Sequence, residues 1–98
     1  MLSELCNLIG VSGYESEVIQ YIYKKLENEK ADKLFIDNIG NLICLRKGRE
    51  SNRKIVIIAH VDEVGFQIIK KLEKEKYRIK SLGSIKTWNA YQQRIKSL

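Results

Sequence analysis

The sequence of 98 residues contains no proline, one histidine and two cysteines. It also lacks an apolar run near the ~20 residues that a membrane-spanning helix needs. The chain does not open on a basic segment followed by an apolar one, so no signal peptide is expected. No repeat or low-complexity segment divides it. These absences predict a cytoplasmic protein with no membrane partner.

The two cysteines, Cys6 and Cys44, lie far apart in apolar surroundings and form no Cys-x-x-Cys pair. A free cysteine behaves as a small hydrophobic residue, and thiols stay reduced in the cytosol. We therefore expect two buried, reduced thiols. A Cys–His catalytic pair stays open, but it has no local signature here.

The composition is that of a globular chain, with 44% hydrophobic and 31% charged residues. The net charge of +6 is uneven, because residues 1–48 hold six basic against seven acidic side chains and residues 49–98 hold twelve against five. A basic half is typical either of an anionic partner or of solvated strand faces. The alternation over residues 76–80 favours solvated faces.

Helical spacing of apolar residues predicts two helices near the start. The first ends at Gly10, and its apolar face consists of Leu2, Leu5, Cys6 and Ile9. Ser12 and Glu15 have the spacing of a capping box, which predicts a second helix that continues to about Asn28. The predicted buried stripe of this helix consists of Tyr14, Val18, Ile22 and Leu26.

The rest of the chain has the pattern of short strands separated by turns. Residues 37–41 predict a turn, because Asn and Gly tolerate positive φ and Asp can bind its own backbone. The sequence leaves open whether residues 70–76 form a turn or a short helix. Strands are predicted over residues 33–36, 41–47, 65–70 and 77–81, and another begins at Gln93.

The most informative segment runs from residue 54 to residue 66. Residues 54–59 hold the longest apolar run and are rich in β-branched side chains, which predicts a strand buried on both faces. His60-Val61-Asp62-Glu63 follows directly. Functional residues of α/β folds lie just past the carboxyl ends of such strands. We therefore interpret His60 as a candidate metal ligand.

Asp62 lies two residues after His60, so in extended backbone both side chains project to the same face. A nearby carboxylate can hold a metal-binding imidazole in one tautomer. Glu63 is either an acid near the site or part of an ordinary turn, and Gly65 would let the chain reverse. One histidine does not complete a site, because catalytic zinc needs about three protein ligands.

Four blocks of the sequence carry a family resemblance. They are Leu5-Cys6-Asn7 with Gly10–Glu15, Asp37–Leu42, Ala59–Phe66, and Ile79–Ser84 with Trp88 and Gln93-Arg94-Ile95. Together they resemble the N-terminal part of the glutamyl aminopeptidase, or tetrahedral aminopeptidase, family of dinuclear metallopeptidases. Some members of that family are labelled endoglucanases. Two departures from the family pattern are Val61, where methionine is usual, and Ser84, where a second glycine is usual.

The resemblance implies an α/β fold, with a mixed sheet covered by helices and a β-rich domain inserted into it. Residues 1–70 would belong to the catalytic domain and residues 71–98 would begin the inserted domain. The resemblance also implies that His60 binds the first metal ion and that Asp62 orients the imidazole of His60. Two zinc ions, or cobalt, would activate the water that attacks the N-terminal peptide bond of peptide substrates.

The other metal ligands and the general base that the resemblance implies have no counterpart in these residues. We therefore expect the N-terminal part of an aminopeptidase, which is inactive by itself. We also expect this part to self-associate or to swap domains. For complete members of the family, the resemblance implies large homo-oligomers. The alternative is a basic, β-rich module that binds nucleic acid or a protein through residues 70–80 with Tyr77 and Trp88. Its aromatic residues are too few and scattered for the stacking platform of a single-strand binder, so we do not expect nucleic acid as a partner.

Overall fold

The computed structural model describes residues 2–50, 52–86, 90–91 and 94–95. In this part of the chain, the buried apolar side chains are Val18 and Ile19. Helix α2, Ser16–Glu27, packs against a hairpin formed by β1, Lys33–Ile36, and β2, Leu42–Leu45. Two adjacent buried residues on one helix face make a small core.

The first helix is shorter than the apolar spacing predicts. Helix α1 covers Leu2–Leu5 instead of extending to residue 9. The hydroxyl of Tyr21 on α2 donates a hydrogen bond of 2.7 Å to Glu4 Oε2. This bond to a carboxylate raises the pKa of Tyr21. The first helix is thus joined to the second by a polar contact.

The predicted capping box is wrong. Helix α2 has Glu15 at its N-cap, with no hydrogen bond from a capping side chain. Ser12 lies before the helix, and its hydroxyl binds a carboxylate 50 residues away in the sequence. Tyr14 also precedes the helix and is 59% exposed, so it is not part of the buried stripe. The hydroxyl of Ser12 therefore donates to a distant carboxylate and does not cap the helix by accepting from a backbone amide.

The β1–β2 hairpin confirms the predicted strand pair and turn. The antiparallel register pairs Lys33 with Leu45 and Ile36 with Leu42. Asp37 accepts hydrogen bonds from the turn, and Gly40 has the positive φ of 95° that glycine tolerates. Local sequence was sufficient here because every contact of the turn lies within five residues.

A second antiparallel hairpin follows, with β3 over Gly65–Lys71 and β4 over Tyr77–Leu82. A bulge interrupts the register between Ile68 and Lys70. The connection is a turn over residues 73–76, in which the two central residues have positive φ. This answers the question that the sequence left open for residues 70–76.

The two faces of this second hairpin differ in chemistry. Since side chains alternate along a strand, the cross-strand pairs separate into two sets. The more apolar face contains Phe66, Ile68, Tyr77 and Ile79, together with Ser81 and Lys71. The opposite face contains Gln67, Lys70, Arg78 and Lys80, with Leu82 at its end. Lys70, Arg78 and Lys80 therefore share an exposed strand face, as the alternation over residues 76–80 indicates.

The predicted buried strand over residues 54–59 is wrong for the described part of the chain. These residues belong to neither sheet, and both sheets have two strands. Their side chains are exposed, with Ile57 92% accessible. The side chains of such a strand are buried when other elements cover both faces of its sheet. Among the described residues, no strand pairs with this segment to form such a sheet.

Both cysteines are free thiols, as expected, but the predicted burial is wrong, because both side chains are exposed. Cys6 follows the short helix α1, and Cys44 lies on the outward part of β2. Each lies in an apolar stretch of sequence, but the small core on α2 does not reach either side chain. The single tryptophan, Trp88, lies outside the described residues, as does most of the strand predicted to begin at Gln93. The described residues of that segment, 94–95, belong to neither sheet.

The chain forms two compact units. The first contains Met1–Gly10 and Tyr14–Val61, and the second contains Val11–Gly13 and Asp62–Leu98. Helices and antiparallel strands together confirm the predicted α/β class. The division into domains after residue 70 stays a prediction. None of the described helices has the length and hydropathy to cross a membrane.

Candidate functional site

The second unit brings two distant motifs into direct contact. The hydroxyl of Ser12 donates a hydrogen bond of 2.6 Å to Asp62 Oδ2, and both side chains are partly buried. The backbone amide of Ser12 donates to the carbonyl of Glu63 at 3.1 Å. Val11 and Glu63 form an isolated parallel bridge beside this bond. Side-chain and backbone contacts therefore hold the carboxylate of Asp62 in place.

His60 belongs to the first unit, where its side chain is exposed. Asp62 opens the second unit. The metal-binding role of His60 and the orienting role of Asp62 both stay predictions.

The residues described by the structure contain no group of three or more His, Cys, Asp or Glu side chains placed to hold a metal ion. An imidazole with a neighbouring carboxylate is a donor set that suits zinc, but a zinc site needs about three protein ligands. The described residues therefore fit one part of a zinc site and do not complete it.

Glu63 and Gly65 have structural roles in this region. The side chain of Glu63 is exposed, and its backbone carbonyl accepts the bond from Ser12. Gly65 begins β3 opposite Leu82 and does not reverse the chain. A Cβ atom on Gly65 would lie 2.6 Å from both γ-methyl groups of Val11. Glycine is required here by close packing.

Sequence reasoning missed Ser12 as a residue of this site. Its spacing to Glu15 matched a helix cap, which is a local role. The one available signal was that Ser12 and Asp62 both lie in blocks that carry the family resemblance. Contact between the two blocks follows from tertiary structure and not from spacing.

A family model described as M42 glutamyl aminopeptidase matches residues 40–97. That span covers more than half of the sequence and includes the His-Val-Asp-Glu segment. The chain belongs to the M42 glutamyl aminopeptidase family. The resemblance inferred from the sequence is thereby confirmed.

Curated relatives support the assignment to this family. The chain is 31% identical over 96 residues to a putative aminopeptidase from Acetivibrio thermocellus, with 98% of this chain and 28% of the relative covered. It is 29% identical over 97 residues to a lysyl aminopeptidase from Pyrococcus furiosus, with 98% and 27% covered. The chain therefore spans little more than a quarter of the length of these relatives.

A solved structure gives the same result for the fold. A crystal structure described as an endoglucanase from Thermotoga maritima matches with a TM-score of 0.77 and 40% sequence identity. The match covers 87% of this chain and 27% of that protein. Members of this M42 family therefore carry both labels, as the resemblance implied.

Proposed function

We propose that this chain is the part of a metal-dependent aminopeptidase that supplies its first metal ligand. His60 binds the metal ion, and Asp62 orients the imidazole of His60. The main support is membership of the M42 glutamyl aminopeptidase family, together with relatives that are named aminopeptidases. The hydrogen bond of 2.6 Å from Ser12 Oγ to Asp62 Oδ2 supports this orienting role, because a carboxylate that orients a metal ligand must keep one position.

The reaction that we propose for the complete enzyme is removal of N-terminal residues from peptides. A pair of zinc ions, with cobalt as the alternative, would supply the activated water for this hydrolysis. His60 is the sole histidine of the chain, and the described residues contain no three-ligand cluster. We therefore propose that the 98-residue chain is inactive by itself.

We propose a cytoplasmic location and self-association for this chain. The location is supported by the few cysteines. Self-association is supported by the apolar residues 55–58, whose side chains are exposed and which belong to neither described sheet. Peptides are the proposed substrates of the complete enzyme.

Nucleic-acid binding has weaker support. Single-strand binders combine a basic groove with aromatic side chains that stack on bases. In the second hairpin Tyr77 shares the apolar face with Ile79, whereas Arg78 and Lys80 are on the other face. Trp88 lies outside the described residues. We therefore keep the aminopeptidase proposal and do not propose a nucleic-acid partner.

The metal-ligand role can be tested with Co²⁺, because a paramagnetic ion shifts and broadens NMR signals near its binding site. We expect weak binding, with the first changes at His60 and its sequence neighbours. His60→Ala should abolish these changes. Asp37→Asn is the matched control, since its carboxylate belongs to a hairpin turn and its loss should leave the cobalt response unchanged. Equal cobalt responses of the wild type and His60→Ala would contradict the proposal.

The predicted inactivity needs a separate measurement. Purified chain should hydrolyse aminoacyl anilides no faster than a blank, with or without added zinc. His60→Ala should give the same result. Hydrolysis by the wild type that rises with zinc and disappears in His60→Ala would show that the chain completes a metal site, for example by self-association.

A further inference from the structure

We infer that Ser12 is a positioning residue, whose hydroxyl holds the carboxylate of Asp62 in the orientation that Asp62 needs to act on His60. This inference rests on the proposed function, in which the Asp62 carboxylate orients the imidazole of His60. It adds a residue from the start of the chain to a site that sequence reasoning confined to residues 60–63.

The hydrogen bond has the geometry of a strong interaction. Its length of 2.6 Å between Ser12 Oγ and Asp62 Oδ2 lies within the range of hydroxyl bonds to an ionised carboxylate, about 2.5–2.7 Å. Ser12 Oγ also lies 3.5 Å from the carbonyl oxygen of Glu63. A hydroxyl has one proton, and the shorter bond to a charged acceptor is the stronger one. The proton is therefore donated to Asp62.

The backbone around Ser12 is fixed independently of this side chain. The amide of Ser12 donates to Glu63, and Val11 forms a bridge with the same residue. A Cβ atom on Gly83 would lie 3.3 Å from Ser12 Oγ, so Gly83 lies next to the hydroxyl. Replacing the hydroxyl therefore removes or weakens the side-chain hydrogen bond to Asp62, while the main-chain contacts of Ser12 remain.

The usual local role of a serine before a helix is absent. The N-cap position belongs to Glu15, and the cap has no side-chain hydrogen bond. Loss of the Ser12 hydroxyl should therefore leave helix α2 intact. An effect of Ser12 substitutions on the site is thus separable from an effect on the helix.

The test uses the whole 98-residue chain and two NMR signals. The side-chain carboxyl carbon of Asp62 reports its hydrogen bond. The two ring nitrogens of His60 report its tautomer at about pH 8.5, above the usual histidine pKa of about 6.5. Ser12→Ala removes the hydroxyl, and Ser12→Cys keeps a similar size with a weak donor. Ser81→Ala is the control, because Ser81 is an exposed serine on β4 of the same unit.

We expect both Ser12 variants to shift the Asp62 carbon signal and to reduce the separation of the two His60 nitrogen signals, while Ser81→Ala changes neither. If Ser12→Ala fails to fold, as its amide spectrum would show, Ser12→Cys gives the same reading. An unchanged Asp62 signal in the folded variants would overturn the inference. A changed Asp62 signal with unchanged His60 nitrogens would also overturn it, since Ser12 would then be structural only.

Asp62→Asn separates this inference from the proposed function. Unchanged His60 nitrogens in Asp62→Asn would refute the orienting role of Asp62 itself, and the inference about Ser12 would fall with it. Changed nitrogens in Asp62→Asn together with unchanged nitrogens in both Ser12 variants would overturn the inference alone.

Discussion

Gly65 shows how one missing side chain supports the segment that contains the candidate site. It begins β3, and the two γ-methyl groups of Val11 occupy the space where its Cβ atom would lie. Val11 is also the residue that bridges to Glu63, next to the Ser12–Asp62 bond. A substitution at Gly65 that moves Val11 would therefore disturb the contacts beside the Ser12–Asp62 hydrogen bond.

At the residue scale, we predict that Gly65→Ala destabilises the fold by about 1–3 kcal/mol, because overpacking of a close contact costs about that much. The added methyl would lie 2.6 Å from two carbon atoms of Val11, so one of the two residues must move. Urea denaturation followed by circular dichroism measures the effect.

Gly48→Ala is the matched control for this prediction. A Cβ atom on Gly48 would meet only the carbonyl oxygen of Glu50, at 3.8 Å, an ordinary contact. We expect its unfolding midpoint to stay close to that of the wild type. Equal midpoints for the two alanine variants would show that the Val11 contact is relaxed in solution.

At the scale of elements, the turn of the β1–β2 hairpin depends on one carboxylate. Asp37 Oδ2 accepts from the side-chain amide of Asn41 at 2.9 Å. Asp37 Oδ1 accepts from the backbone amides of Ile39 and Asn41 at 3.0 and 2.8 Å. These bonds, chiefly that from the Asn41 side chain, lower the pKa of Asp37 below its usual value of 3.8.

The lowered pKa predicts that the hairpin weakens in acid. Since the folded pKa lies below the unfolded one, the carboxylate stabilises the hairpin above about pH 3.8 and loses this effect as the pH falls through the folded value. NMR shifts of the Ile39 and Asn41 amides, followed between neutral and acidic pH, should report this transition.

Two variants check the assignment of that transition to Asp37. Asp37→Asn should weaken the turn at neutral pH and remove the acid transition from both amides. Glu29→Gln changes an exposed carboxyl outside the turn and should preserve the transition. An acid transition that persists in Asp37→Asn would assign it to another group.

At the scale of the whole molecule, the described chain exposes residues 55–58, an apolar segment whose β-branched side chains are typical of a strand. Ile55, Val56, Ile57 and Ile58 are 88%, 76%, 92% and 88% exposed. No backbone hydrogen bond joins residues 54–59 to another described residue. Exposed segments that are rich in β-branched residues, lack proline and have an unpaired backbone tend to pair with strands of other chains.

We predict that the isolated chain self-associates through this segment. Sedimentation should show a mean mass that increases with concentration. Ile57→Lys places a charge in the middle of the segment and should shift the distribution toward the monomer. Ile39→Lys makes the same change at another exposed isoleucine, 80% accessible in the β1–β2 turn, and should behave as the wild type. A wild type that remains monomeric at all concentrations would contradict the prediction.

The sequence by itself determined the features whose contacts are local. Asp37 and Gly40 predicted their turn, the alternation of β4 predicted a solvated basic face, and the apolar stripe predicted helix α2 with Val18 buried. The motif around His60 was enough to identify the family. Each of these depends on residues that are near neighbours in the chain, or on a pattern of residue types.

Only the tertiary structure decided the hydrogen-bond and packing partners of particular residues. Ser12 has the spacing of a helix cap, in which its oxygen would accept from a backbone amide, but in the folded chain its hydroxyl donates to the carboxylate of Asp62. Gly65 is a residue type that is typical of turns, but here the methyl groups of Val11 require glycine for packing. Burial of residues 55–58 likewise depends on the structure that covers them, because hydrophobicity shows that a segment favours burial and not what covers it.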